Sequence, residues 1–121
     1  MKYDANNIFA KILRGEIPCN KIYEDDFVLS FYDINPQKKI HALVIPKGKY
    51  IDLDDFNTNA SNEEIIGLMK GITTVAKKLG ISSIDGKGYR ALANISDYGG
   101  QEVPHLHFHL FGGEKVGKMV S

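Results

Sequence analysis

Apolar and polar positions alternate most clearly in the run His105-Leu106-His107-Phe108-His109-Leu110-Phe111. Side chains two apart on an extended strand share a face. Leu106, Phe108 and Leu110 are therefore predicted to anchor a strand in a core, leaving His105, His107 and His109 as a row on its other side. Shorter strand patterns occur at Lys21–Glu24 and Val28–Asp33, with Asp25-Asp26 as turn residues between them, at Ile40–Ile45 closed by Pro46, and at Tyr89–Asn94. Helical spacing takes over at Ile65, Leu68, Met69, Ile72, Val75, Ala76 and Leu79. That helix begins at Ser61, which with Glu64 fits a capping box, and stops at Gly80. A shorter helix is predicted over Ile8–Arg14, capped by Asn6 or Asn7 and closed by Gly15. Residues 47–60 are polar and without period, and are read as irregular. The sum is an α+β domain spanning residues 1–121, with five mostly antiparallel strands, one long helix and one short one.

Two glycines, Gly67 and Gly71, fall inside the long helix, where each costs about 1 kcal/mol relative to alanine. Close approach of another element would explain them, either within the chain or across a dimer seam. Composition narrows the partners. Fifteen basic residues balance fifteen acidic ones, so no positive field exists to hold a nucleic-acid polymer, while a small anion can still be bound locally. Cys19 is the single cysteine, which excludes an internal disulfide and a Cys-x-x-Cys metal site. With no apolar leader and no run of about 18 apolar residues, the expected setting is soluble and cytoplasmic, without a membrane partner.

The histidine row admits three readings. As solvated polar side chains the three would be an odd cluster. As a metal site they are poorly spaced, because residues four apart on a flat strand lie roughly 13 Å apart, and His41 is the only other histidine. The third reading is acid–base and nucleophilic chemistry. If one ring nitrogen of His107 donates to a backbone carbonyl, the other is fixed as an unprotonated nucleophile able to attack phosphorus. A flanking histidine can then stabilise phosphate charge or protonate a leaving group. The Gly99-Gly100-Gln101-Glu102-Val103 stretch adds backbone amides beside the row, a feature that suits phosphate oxygens.

His-Leu-His-Phe-His-Leu-Phe also resembles the signature of the histidine triad family, His-φ-His-φ-His-φ-φ with φ apolar, at every position. The resemblance extends through Ile8–Ile12, Glu16-Ile17-Pro18, Tyr32–Gln37, His41–Pro46 and Gly99–Gln101. The Gly112-Gly113 pair points to the nucleotide-binding (Hint) branch. The resemblance implies a homodimer with a sheet extended across it, and hydrolysis of purine nucleoside phosphoramidates to a nucleoside monophosphate and an amine. Carried over by position, His107 is the nucleophile, His109 assists phosphate transfer, and His105 and His41 complete the catalytic set. Asp33 would accept the ribose hydroxyls, and Ile8, Phe9, Ile12, Phe31 and Ile34 would line the purine pocket. Asn94, Gly100, Gln101 and the Val103 amide fall where the family meets phosphate or its leaving group.

Departures from the family pattern carry their own expectations. Glu102 stands where many Hint proteins have serine, and a carboxylate there would favour leaving groups that bear a cationic amine. Pro104 replaces an aromatic residue. Asn7 and Ala10 occupy the positions of a zinc-binding Cys-x-x-Cys found in some bacterial relatives, so no structural zinc, and no cofactor, is expected. The tail Glu114–Ser121 lacks a tryptophan common in relatives, which leaves the leaving group open. The rival readings are a dinucleoside polyphosphate hydrolase and a nucleotide-binding regulator with little turnover.

Overall fold

The structure, a computed structural model, describes residues 2–120. It contains α1 (Ile8–Leu13), β1 (Lys21–Glu24), β2 (Val28–Tyr32), β3 (Ile40–Pro46), α2 (Leu53–Asn59), α3 (Asn62–Lys78), β4 (Arg90–Leu92) and β5 (Phe108–Gly112). The strands form one sheet in the order β1-β2-β3-β5-β4, and every pairing is antiparallel. The fold is therefore the expected α+β arrangement with five strands.

Cross-strand partners share a face, and this sorts the sheet into two sides. On one side Val28, Ala42, Val44 and Leu110 pack with Leu68, Ile72 and Val75 of α3 and with Leu106. Leu106 and Leu110 are almost fully buried, each worth roughly 1.5–3 kcal/mol of apolar burial. On the other side Leu29, Phe31, Leu43 and Ile45 pack with Phe9 of α1. Leu43 pairs with His109, and His41 with Phe111, so the histidines emerge on the α1 side.

The helix signals hold in detail. Asn7 is the cap of α1, its side chain accepting from the Ala10 N–H at 2.9 Å. Ser61 and Glu64 form the reciprocal capping box, and Gly80 ends the run with φ of 73°. The helix glycines answer to packing within the chain. A Cβ on Gly67 would lie 2.5 Å from the Phe27 ring, and one on Gly71 would lie 3.0 Å from Val28.

Two local expectations fail. The stretch 47–60 contains the helix α2, capped by Asp52, which accepts from the Asp55 N–H, and with Asp54 and Asp55 in its first turn. Only Phe56 is fully buried from this short helix, too little to give a visible period. The fold therefore has two short helices, not one. The triad strand also begins later than predicted: regular pairing starts at Phe108, with His105 and His107 in the segment leading into it. There His105 N–H bonds back to the Val103 carbonyl and Leu106 N–H to the Tyr50 carbonyl, so both donors are drawn away from a neighbouring strand. No helix among the described residues is long and apolar enough to cross a membrane.

Candidate active site

His107 sits at the entrance to β5 with its ring only 6% exposed. Its Nδ1 lies 2.7 Å from the carbonyl oxygen of His105. A carbonyl can only accept, so Nδ1 carries the proton and Nε2 is left bare. Phe9 packs edge-on against this ring at 4.9 Å between centroids, and His109 does so at 5.0 Å. Burial holds the imidazole below its ordinary value of 6.5, which keeps it neutral and nucleophilic at pH 7.

His109 is fixed through a different chain of bonds. The Gln37 N–H donates to His41 Nδ1 at 3.1 Å, so the proton of a neutral His41 resides on Nε2. That nitrogen lies 2.9 Å from His109 Nδ1 and 3.5 Å from Asp33 Oδ2. His109 Nδ1 is thereby the acceptor, and His109 presents an N–H at Nε2. Phe111 stacks parallel to His109 and tilts against His41, fixing both planes. Burial, followed by the neighbouring His107 and His41, pushes His109 down to about 4. His41 is lowered as well, burial outweighing the attraction of Asp33. The arrangement sets a bare nitrogen and an N–H side by side, the pair needed to attack a phosphorus centre while steadying its oxygens.

His105 is placed differently from the sequence expectation. It is completely buried, its Nε2 meets the Pro46 carbonyl at 2.9 Å, and its Nδ1 meets the Tyr3 hydroxyl at 2.6 Å. Burial pushes it down to about 4. A ring with no exposed surface does not line a site; its contribution to His107 is the carbonyl.

The remaining candidates divide. Phe9 and Phe31 are buried and Ile12 packs beside them, whereas Ile8 and Ile34 are exposed. Asp33 is held by the Asn35 N–H on Oδ1, with Oδ2 facing His41. Leu92 pairs with His109, and Asn94 lies two residues beyond the end of β4. In the glycine loop, the Gly100 and Gln101 N–H groups bond to the Asp97 and Ser96 carbonyls. The Val103 N–H has no backbone acceptor among the described residues. The Gln101 side chain is fully engaged: its amide nitrogen donates to the Ile51 and Val103 carbonyls, and its oxygen accepts from the Ser96 N–H. It is thus a staple between loops. Glu102 is exposed, and its charge favours the protonated form of His107. The sequence reading missed Tyr3, the Gln37 amide and the Pro46 carbonyl, none of which carries a local motif. A separate hollow of about 930 Å³, walled by Gly80, Ile81, Tyr89, Arg90 and Lys115 among others, includes none of the histidines.

Asp33, His41 and His109 bring one ligand atom each to within 4.8 Å of one another, a spacing that could hold a metal ion. The Gln37 N–H opposes this. With His41 Nδ1 already an acceptor, an ion on Nε2 would have to displace the only proton of that ring.

A five-stranded antiparallel sheet whose last strand brings two neutral imidazoles together edge-on, 5.0 Å between ring centroids, defines the architecture of the chain. Residues 14–116 match the HIT domain, and the chain belongs to the histidine triad (HIT) family. It is 50% identical over 119 residues to a HIT-like protein of Azospirillum brasilense, covering 98% of this chain and 95% of that one. It is 42% identical over 114 residues to the purine nucleoside phosphoramidase of Escherichia coli K12, covering 94% and 92%. Among solved structures, a HIT family hydrolase from Clostridium thermocellum superposes with a TM-score of 0.84 at 37% identity, covering 96% of this chain and 97% of that one.

Proposed function

We propose that this protein is a phosphoramidase of the Hint branch, which hydrolyses the P–N bond of purine nucleoside 5′-phosphoramidates through a covalent His107–nucleotide. The observation that carries this reading is the pair of nitrogens described above: His107 Nε2 bare, His109 Nε2 bearing a proton. The purine nucleoside phosphoramidase of Escherichia coli, 42% identical, supports the substrate class.

In the first half-reaction the His107 Nε2 lone pair attacks phosphorus. The P–N bond breaks, its electron pair leaving with an amine nitrogen that was protonated in the substrate, so a neutral amine departs. His107 keeps its Nδ1 proton on the His105 carbonyl and carries the positive charge of the adduct. His109 donates its Nε2–H to a phosphate oxygen, and the Val103 N–H does the same from the glycine loop. Water then attacks phosphorus, the His107–phosphorus bond breaks, and the proton released is taken up by the free amine. Asp33 would receive the ribose hydroxyls and the Phe9–Phe31 side the purine. Glu102 would favour amines that carry a positive charge. Metal and cofactor have no part in these steps, and the protein would work as a homodimer in the cytoplasm.

The test is AMP release from adenosine 5′-phosphoramidate by protein treated with a chelator. Turnover that survives chelation and vanishes in His107→Ala is the expected result. Binding of AMP without any turnover would move the reading to a nucleotide-binding regulator.

A further inference from the structure

We infer that Tyr3 is a positioning residue for the nucleophile, acting through His105. The inference rests on the reading of His107 above but is tested separately from it.

The geometry is a chain of three hydrogen bonds. His105 is fully buried, so each ring nitrogen needs a partner inside the protein. Its Nε2 faces the Pro46 carbonyl at 2.9 Å and must donate, because that oxygen has no proton to give. The neutral ring then has a bare Nδ1, which requires a donor. Tyr3 supplies one, its hydroxyl 2.6 Å away and its ring edge-on to the imidazole at 5.6 Å between centroids. With both nitrogens engaged, the His105 ring is pinned between the end of β3 and the N-terminal segment. The main-chain carbonyl of this same residue accepts from His107 Nδ1 at 2.7 Å. The direction of the His107 Nε2 lone pair therefore depends on Tyr3, which lies 102 positions from His105 in sequence.

Tyr3 is not presented by a loose end. Asp4 accepts from the Asn6 N–H on its side chain and from the Asn7 side chain and N–H on its carbonyl. Asn7 in turn caps α1, whose Phe9 touches both His105 and His107 edge-on, at 6.4 and 4.9 Å. The segment from Tyr3 to Phe9 is thus a brace with one hydroxyl and one aromatic ring set against the back of the site.

Tyr3→Phe separates positioning from packing, since it keeps the ring and removes only the donor. Without that donor the buried Nδ1 has no partner and the His105 ring is held from the Pro46 side alone, free to tilt about that one bond, which moves its carbonyl. The expected result is a fall in kcat of roughly ten- to a hundredfold, the scale of a small misplacement at a reacting atom, with KM and the Kd for AMP unchanged. Imidazole ¹⁵N spectra should show His105 protonated at Nε2 and His107 at Nδ1 in the wild type; in the variant the His105 Nδ1 signal should shift with the loss of its donor and the His107 Nδ1–H signal with the movement of its carbonyl acceptor. Unchanged kcat and unchanged ring spectra, whether or not the thermal midpoint falls, would overturn the proposal. The spectra decide the point even if phosphoramidates prove not to be the substrate, so the two readings can fail independently.

Discussion

At the scale of single residues, proton placement does the sorting. Each of the four imidazoles faces a partner that fixes its tautomer, and burial keeps all four below the ordinary histidine range. This sets the sign of a pH effect on stability. His105 and His109 titrate near 4 when folded but near 6.5 when unfolded. Between those values the unfolded chain binds more protons, so their contribution is complete above about pH 6.5 and is lost as pH falls toward about 4. The thermal midpoint should drop between pH 7 and pH 5, ahead of most carboxylate titration; a midpoint that rises on acidification would contradict the assignment. His41 has a sharper role. His41→Ala removes the donor that orients His109, and kcat should fall roughly ten- to a hundredfold with AMP affinity little changed. Equal loss in kcat and affinity would instead mean that His41 binds the ligand directly. The three triad histidines were visible in the sequence because their residue type and spacing are unusual, whereas His41 and Asp33 entered as site residues only through the family resemblance. Tyr3, the Gln37 amide and the Pro46 carbonyl were not visible. They act through contacts made only when distant segments fold together, and backbone groups have no signature.

At the scale of elements, the long helix was legible to its caps, because Ser61, Glu64 and Gly80 act locally. Its glycines became intelligible only against β2. Filling Gly67 would gain about 1 kcal/mol of helix propensity yet force a methyl onto the Phe27 ring, 2.5 Å from its nearest carbon. Overpacking of this kind costs about 1–3 kcal/mol. Gly67→Ala should therefore lower the free energy of unfolding in urea, and a stabilised variant would show that Phe27 yields freely. The short helix α2 escaped the sequence reading because seven residues with one fully buried side chain leave no periodicity to detect. The triad segment misled for the opposite reason. Its alternation is that of a strand, but the amides of His105 and Leu106 bond to Val103 and Tyr50, so only its second half joins the sheet. Apolar anchoring still operates across the break: Leu106 and Leu110 enter one core, and the histidines face α1.

At the scale of the molecule, the sheet separates two tasks. One face is closed by α3 and holds the main core; the other carries the histidines and is braced by α1 and the residues before it. The outer edge of β4 has no strand partner among the described residues, an arrangement that invites pairing with another copy, and Ile66 and Met69 of α3 are exposed. Light scattering should give twice the 13.5 kDa of one chain, with a monomer mass refuting the proposed dimer. The central claim, that His107 is a nucleophile rather than a ligand or a core residue, is tested most directly by trapping the intermediate. Rapid quenching of the protein with adenosine 5′-phosphoramidate, followed by mass analysis of its peptides, should find an adenylyl group on His107 and none in His107→Ala. An adduct on His109 instead, or undiminished AMP release by His107→Ala, would contradict the account.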